Sequence, residues 1–229
     1  MFLLPRQRAI TMPAIKLDFN RPLVLTCRLM ATNDPFIITL ADPAQIPKLV
    51  KDGFFMGMAQ PRIAMVGRSN VGKSSLLNAL FQHKVARVSQ TPGKTKAIHF
   101  FLWAKTDKIV ADLPGYGFAK VPKEEQKLWS NLIGSYITAD TGLEQVLILF
   151  DSRHGPTPDD FQALDYILKK GIPVRVVLTK FDKLKTQSDR AKRKREVLAA
   201  LANYGVKGED LFWVSVNDQR SIEFLRKQL

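Results

Sequence analysis

From Phe36 onward, short runs of mostly apolar residues alternate with longer stretches in which apolar and charged positions recur at helical spacing. The apolar runs Ile63–Val66, Ile98–Trp103, Lys108–Asp112, Gln145–Phe150, Val174–Leu178 and Leu211–Val214 read as strands. Lys73–Phe81, Lys123–Ile137, Pro158–Lys169, Ser188–Asn203 and Gln219–Leu229 read as helices. Such alternation places helices on both faces of a mostly parallel sheet. Ile98–Trp103 and Lys108–Asp112 lie close enough along the chain to form an antiparallel pair. The predicted fold class is therefore α/β: a six-stranded, mostly parallel sheet with one antiparallel strand and helices on both faces. No internal repeat or low-complexity tract interrupts it.

Residues 1–35 follow a different pattern. Arg6, Arg8, Lys16, Arg21 and Arg28 stand against Asp18, and prolines break any long periodicity. The expected organisation is a poorly ordered basic extension over 1–35 and a single domain over 36–229. A targeting segment, which would also be Arg-rich and acid-poor, and a start of translation at Met30 are the alternatives. Cys27 is the one cysteine, so no disulfide framework can form, which fits a reducing cytoplasm. No apolar run reaches the roughly 20 residues that span a bilayer. The net charge of +14 points to a polyanionic partner. Nucleic acid is preferred to a membrane surface, because no basic amphipathic helix with an aromatic face stands out.

Gly67-Arg68-Ser69-Asn70-Val71-Gly72-Lys73-Ser74 has the spacing of a P-loop. It lies between a predicted strand and a predicted helix, so backbone amides and the helix dipole would converge on an anion. Lys73 would add a point charge for the β- and γ-phosphates, and the Ser74 hydroxyl would hold Mg²⁺. Asp112-Leu113-Pro114-Gly115 ends a strand, where a carboxylate can reach the metal through water and the Gly115 amide can meet a γ-phosphate. In Thr91-Pro92-Gly93-Lys94-Thr95, a threonine can complete the metal shell only when the γ-phosphate is present, as in a ligand-ordered switch. Thr95, nearer the following strand, is preferred to Thr91. Thr179-Lys180-Phe181-Asp182 follows another strand. The Asp182 carboxylate can accept from guanine N1–H and N2–H, a donor pair that adenine lacks. The stem of Lys180 can lie over the base. Val214-Ser215-Val216 either offers backbone amides to the guanine carbonyl or is an ordinary strand end.

Taken in order, these motifs resemble the translation-factor-class GTPases, and within them the EngB/YihA (YsxC) family of bacterial ribosome-biogenesis GTP-binding proteins. The resemblance runs from about Phe36 to Leu229. It rests on GRSNVGKSSLLNAL (67–80), TPGKTKAIHFF (91–101), DLPGYGFAKVPK (112–123) and TKFDK (179–183). It implies a Ras-like sheet, Mg²⁺-dependent GTP hydrolysis and a GTP/GDP switch in assembly of the large ribosomal subunit. It implies Ser74 and Thr95 as metal ligands. Phosphate contacts would come from Gly67, Arg68, Ser69, Asn70, Val71, Gly72, Lys73, Ser74, Ser75, Gly93, Lys94, Thr95, Lys96, Ala97, Asp112, Leu113, Pro114 and Gly115. Guanine contacts would come from Thr179, Lys180, Phe181, Asp182, Val214, Ser215 and Val216. Lys73, Thr95, Asp112, Gly115 and Asn70 would serve hydrolysis. The family's short N-terminal region does not resemble residues 1–30, and Val216 stands where many relatives carry a small residue.

Tyr116 occupies the place where Ras-type enzymes carry a water-orienting Gln. A phenol cannot both donate and accept as an amide does, so slow intrinsic hydrolysis, accelerated by a partner or a monovalent cation, is expected. Asn70 either helps hold K⁺ beside the phosphates or stabilises its loop. Lys183, Lys185, Arg190, Lys192, Arg193, Lys194 and Arg195, set against Asp189, form either an rRNA-phosphate contact or a solvated helix face. Phe100, Phe101, Trp103, Phe118 and Trp129 are assigned to the core, and His83, His99 and His154 lack metal spacing. The leading expectation is a monomeric GTP-driven switch on a pre-ribosomal particle. The alternative is a nucleotide-dependent RNA-binding module in which hydrolysis is incidental. No long coiled coil supports a self-assembling GTPase.

Overall fold

The computed structural model describes residues 36–42, 44–51, 60–86, 97–117 and 123–229. The basic extension over 1–35, the segment Thr91–Lys96 and Phe118 lie outside these. Seven strands form one sheet in the order β1-β3-β4-β2-β5-β6-β7. They are β1 (Phe36–Leu40), β2 (Arg62–Gly67), β3 (Ile98–Trp103), β4 (Lys108–Asp112), β5 (Leu143–Asp151), β6 (Val174–Thr179) and β7 (Leu211–Trp213). β3 runs against both of its neighbours, β1 and β4, and every other pairing is parallel.

The expected six strands thus become seven. β1 is a short edge strand just after Pro35, where composition changes, and it pairs with β3 rather than with its neighbour in sequence. The expected antiparallel pair is also only half of the arrangement, because β3 has an antiparallel partner on each side. The helices are α1 (Gln45–Lys51), α2 (Lys73–Phe81), α3 (Lys123–Ala139), α4 (Pro158–Leu168), α5 (Gln187–Ala202) and α6 (Gln219–Lys227). α1 was not expected; it is short and carries little periodicity.

Both faces of the sheet are buried. Along β2, Ala64 and Val66 pack on one side with Leu132 and Tyr136 of α3, Leu164 of α4 and Leu201 of α5. Ile63 and Met65 pack on the other side with Leu76 and Leu80 of α2 and Ile222 and Leu225 of α6. That two-sided burial is why the strands read as continuous apolar runs. Each such side chain stabilises the fold by roughly 1.5–3 kcal/mol relative to exposure. Phe100, Phe101 and Trp103 are buried, with Phe101 and Trp103 packed around Phe81 and Phe100 against Tyr136. Among the described residues no helix is long and apolar enough to cross a membrane.

The parallel strands end together at Gly67, Asp112, Asp151, Thr179 and Trp213, the edge at which open α/β sheets bind ligands. At the opposite end, Arg62 and Asp140 form a fully buried pair. Arg62 Nε donates to both carboxylate oxygens at 2.6 and 2.8 Å, and the Gly142 amide donates to Oδ1 at 3.1 Å. Removing one partner strands a buried charge. Asp140→Ala is therefore expected to cost about 3–5 kcal/mol in chemical denaturation. Asp165→Ala, which breaks only an exposed pair with Lys169, should cost less than about 1 kcal/mol.

Candidate nucleotide site

The P-loop leaves β2 at Gly67 and enters α2 at Lys73. Gly72 precedes the helix with φ +107°, a conformation that strains any residue bearing a Cβ. Its carbonyl accepts from the Leu76 amide at 2.9 Å. Glycine supplies no capping side chain, so the first amides of α2 remain available to an anion. Lys73 is 8% exposed and is ion-paired with Asp112, itself 2% exposed at the end of β4. Two buried charges thus neutralise each other where phosphate and metal would sit. Ser74 follows Lys73 in the first turn of α2, and Ser75 faces the cleft described below.

The donor set fits magnesium. One hydroxyl and one nearby carboxylate suit an ion that keeps several waters and takes its remaining oxygens from phosphates. Among the described residues no cluster of three or more His, Cys, Asp or Glu could hold a metal alone. Ala97 is buried just ahead of β3. Gly93, Lys94, Thr95, Lys96 and the alternative Thr91 lie outside the described residues. His99 lies in β3 within hydrogen-bonding distance of the Thr39 hydroxyl, 2.8 Å.

Thr179 and Lys180 grip the P-loop from the other side. Thr179 Oγ1 donates to the Val71 carbonyl at 2.6 Å, and Lys180 Nζ donates to the Asn70 carbonyl at 2.6 Å and to Asp151 Oδ2 at 2.9 Å. Burial disfavours charge on Asp151, but hydrogen bonds from Arg153 and Lys180 prevail and lower its pKa to about 2. Asn70 is exposed with φ +60°. Lys180 also has a left-handed backbone, φ +57°, which swings the chain from β6 into the short turn Phe181–Lys183.

Beside this grip is a cleft of about 210 Å³, lined by Gly72, Ser75, Leu76, Thr179, Lys180, Asp182, Lys183, Val214, Val216 and Asn217. Asp182 projects into it. Ser215 Oγ donates to Asp182 Oδ1 at 2.8 Å, and Asn217 Nδ2 to Oδ2 at 3.3 Å. Burial opposes the charge, yet Ser215, a backbone amide and Lys183 together hold the carboxyl below its ordinary range. It is an ionised acceptor ready for a pair of donors.

Val214–Val216 lies just beyond β7, and its amides are not equivalent. Val214 N–H donates to the Leu178 carbonyl and Ser215 N–H to Ser221 Oγ. Ser215 thus orients Asp182 through its hydroxyl instead of offering its amide to a base. Phe181 packs against Trp213 and not over the cleft, with ring centroids 5.2 Å apart.

Two expectations change in the structure. Tyr116 does not stand free where a catalytic Gln would. Its hydroxyl donates to Asp160 Oδ1 at 2.8 Å, and burial together with Asp160 raises its pKa, keeping it a donor. The basic segment, in turn, is partly an internal structure. Arg193 donates to the carbonyls of Arg153 and His154, while Arg190 and Lys194 lie over the Phe181 ring. Lys183, Lys185, Lys192, Lys194 and Arg195 are exposed.

Asp151, Asp160, Asn217 and Ser221 were not anticipated. Only Asp151 gave a signal: a charged residue closing an apolar run.

A family model described as 50S ribosome-binding GTPase matches residues 62–180. A probable GTP-binding protein EngB of Thermotoga sp. (strain RQ2) is 48% identical over 143 residues, 62% of this chain and 72% of its own. The chain belongs to the EngB family of GTP-binding proteins. An EngB of Clostridium botulinum (strain Eklund 17B / Type B) is 39% identical over 193 residues, covering 84% of this chain and 91% of its own. A crystal structure of a probable GTP-binding protein EngB superposes with a TM-score of 0.58 at 24% identity, over 73% of this chain and 95% of that one, and shares its fold. Membership in this family of GTP-binding proteins implies GTP and GDP as ligands and GTP hydrolysis in general. The cleft beside Asp182 is lined by residues of the TKFD and VSV motifs. Asp182→Asn should weaken GDP binding by about 100-fold in calorimetry, the cost of losing a charge-assisted acceptor pair. An unchanged affinity would remove Asp182 from base recognition.

Proposed function

We propose that the protein is a slow GTP/GDP switch acting in assembly of the large ribosomal subunit. The observation that carries the slow rate is the bond between Tyr116 and Asp160, which ties up the side chain next to the γ-phosphate motif. No donor–acceptor amide follows Gly115 to orient the attacking water. The ribosomal role is supported by the name of the matching family model and by the net charge of +14.

The residues divide the work as follows. The amides at the start of α2 and the Lys73 ammonium bind the phosphates, Lys73 exchanging its bond to Asp112 for phosphate oxygens. Ser74, Asp112 and Thr95 would hold Mg²⁺, which when bound neutralises the β- and γ-phosphate oxygens. Asp182 and the Val216 amide orient guanine, and the Lys180 stem covers it. The Gly115 amide meets the γ-phosphate and reports its presence. Asn70, exposed on the P-loop rim, would help hold a potassium ion through its amide oxygen, and that ion would supply positive charge of the kind other GTPases take from an arginine. The exposed Lys185, Lys192 and Arg195 contact rRNA phosphates.

The test is GTP turnover measured in KCl and in NaCl, with and without large ribosomal subunits. We expect large subunits to raise the rate at least about tenfold, a barrier change of roughly 1.4 kcal/mol. We also expect KCl to exceed NaCl for the wild type but not for Asn70→Ala. Absence of stimulation by subunits would favour an RNA-binding module in which hydrolysis is incidental, and equal rates in both salts would exclude the potassium site.

A further inference from the structure

Tyr116 is fastened at three points. Its amide donates to the Gly67 carbonyl at 3.3 Å, its carbonyl accepts from the Ser69 amide at 2.9 Å, and its hydroxyl reaches Asp160. Asp160 is 2% exposed in the first turn of α4. Its second oxygen accepts from both the amide and the hydroxyl of Thr157, each at 2.8 Å. The carboxylate is therefore fixed by the cap of its own helix and cannot follow the phenol if the segment moves. The preceding residue, Gly115, is pressed against the P-loop. A Cβ there would lie 3.1 Å from the Ser69 nitrogen and 3.2 Å from its Cα. A side chain there would push the P-loop backbone back by a few tenths of an ångström.

We propose that Tyr116 and Asp160 form a latch that positions the Gly115 amide for the γ-phosphate and so sets the preference for GTP over GDP. Asp160 is a positioning residue, acting through Tyr116 from outside the nucleotide pocket. The proposal rests on the reading of this site as a guanine-nucleotide switch. GDP has no group opposite the Gly115 amide, so its affinity is indifferent to where that amide lies. GTP gains from an amide already in place. Without the latch, the hydrogen bonds left to Tyr116 among the described residues are those of its backbone to Gly67 and Ser69, and part of the γ-phosphate's binding energy must order the segment. Apparent affinity for the triphosphate then falls in proportion to the population of the competent arrangement.

The experiment compares affinities for MgGDP and for a magnesium complex of a non-hydrolysable GTP analogue. It uses the full chain as wild type, Tyr116→Phe, Asp160→Ala and the double variant. Tyr116→Phe removes one hydroxyl and leaves the helix cap whole, so it tests the latch even where Asp160→Ala loosens α4. The expected result is GDP affinity held within about twofold and analogue affinity lowered about tenfold. The double variant should lose no more than either single change. An unchanged ratio in Tyr116→Phe, or equal weakening of both ligands, would overturn the latch. A wild-type chain that bound neither nucleotide would instead sink the functional reading, with the latch falling as a consequence.

Discussion

Two hydrogen bonds from one strand end, Thr179 to the Val71 carbonyl and Lys180 to the Asn70 carbonyl, hold the P-loop in shape. The Arg68 and Gly72 carbonyls accept from amides of the loop and its helix, but those of Asn70 and Val71 are met by side chains from across the sheet. Thr179 and Lys180, two of the four residues of the motif proposed to recognise the base, therefore also brace the loop proposed to hold the phosphates, which ties the two halves of the site together. Asp151 completes it by fixing the Lys180 ammonium, and its depressed pKa keeps that anchor charged throughout the neutral range.

Buried charge is handled differently at the two ends of the sheet. Arg62 and Asp140 are locked together with further bonds to the backbone. Lys73 and Asp112 are also buried, at the end of the sheet where the P-loop lies. The first pair is structural. In the proposed site the second would be exchangeable, each charge staying compensated until a polyphosphate and a cation took over, which avoids the several kcal/mol an isolated buried ion would cost.

The motifs were legible because each is contiguous in sequence and its chemistry depends on local spacing. The same is true of five of the helices and six of the strands, whose apolar or periodic runs stand out from the sequence around them. α1 is only seven residues long, and β1, though as long as β4, follows directly on the proline-broken segment. The supporting residues were illegible for another reason. Asp160 meets Tyr116 44 positions away, and Asn217 meets Asp182 35 positions away, distances that only the fold closes. The basic segment shows a reading that spacing could have improved. Arg190, Arg193 and Lys194 share a helical face with the buried Val197 and Leu201; Arg190 and Arg193 are half-buried and Lys194, though exposed, reaches over Phe181, while Lys192 and Arg195 turn out. A count of charges could not separate those two rows.

The unity of base and phosphate recognition can be tested with a ligand that has no base. Affinity for magnesium tripolyphosphate would be measured in the wild type, Lys180→Met and Asp182→Ala. If the guanine motif braces the P-loop, Lys180→Met weakens tripolyphosphate binding by about tenfold, the loss of one charge-assisted hydrogen bond, while Asp182→Ala leaves it unchanged. Tripolyphosphate binding that is the same in the wild type and in Lys180→Met would contradict the account.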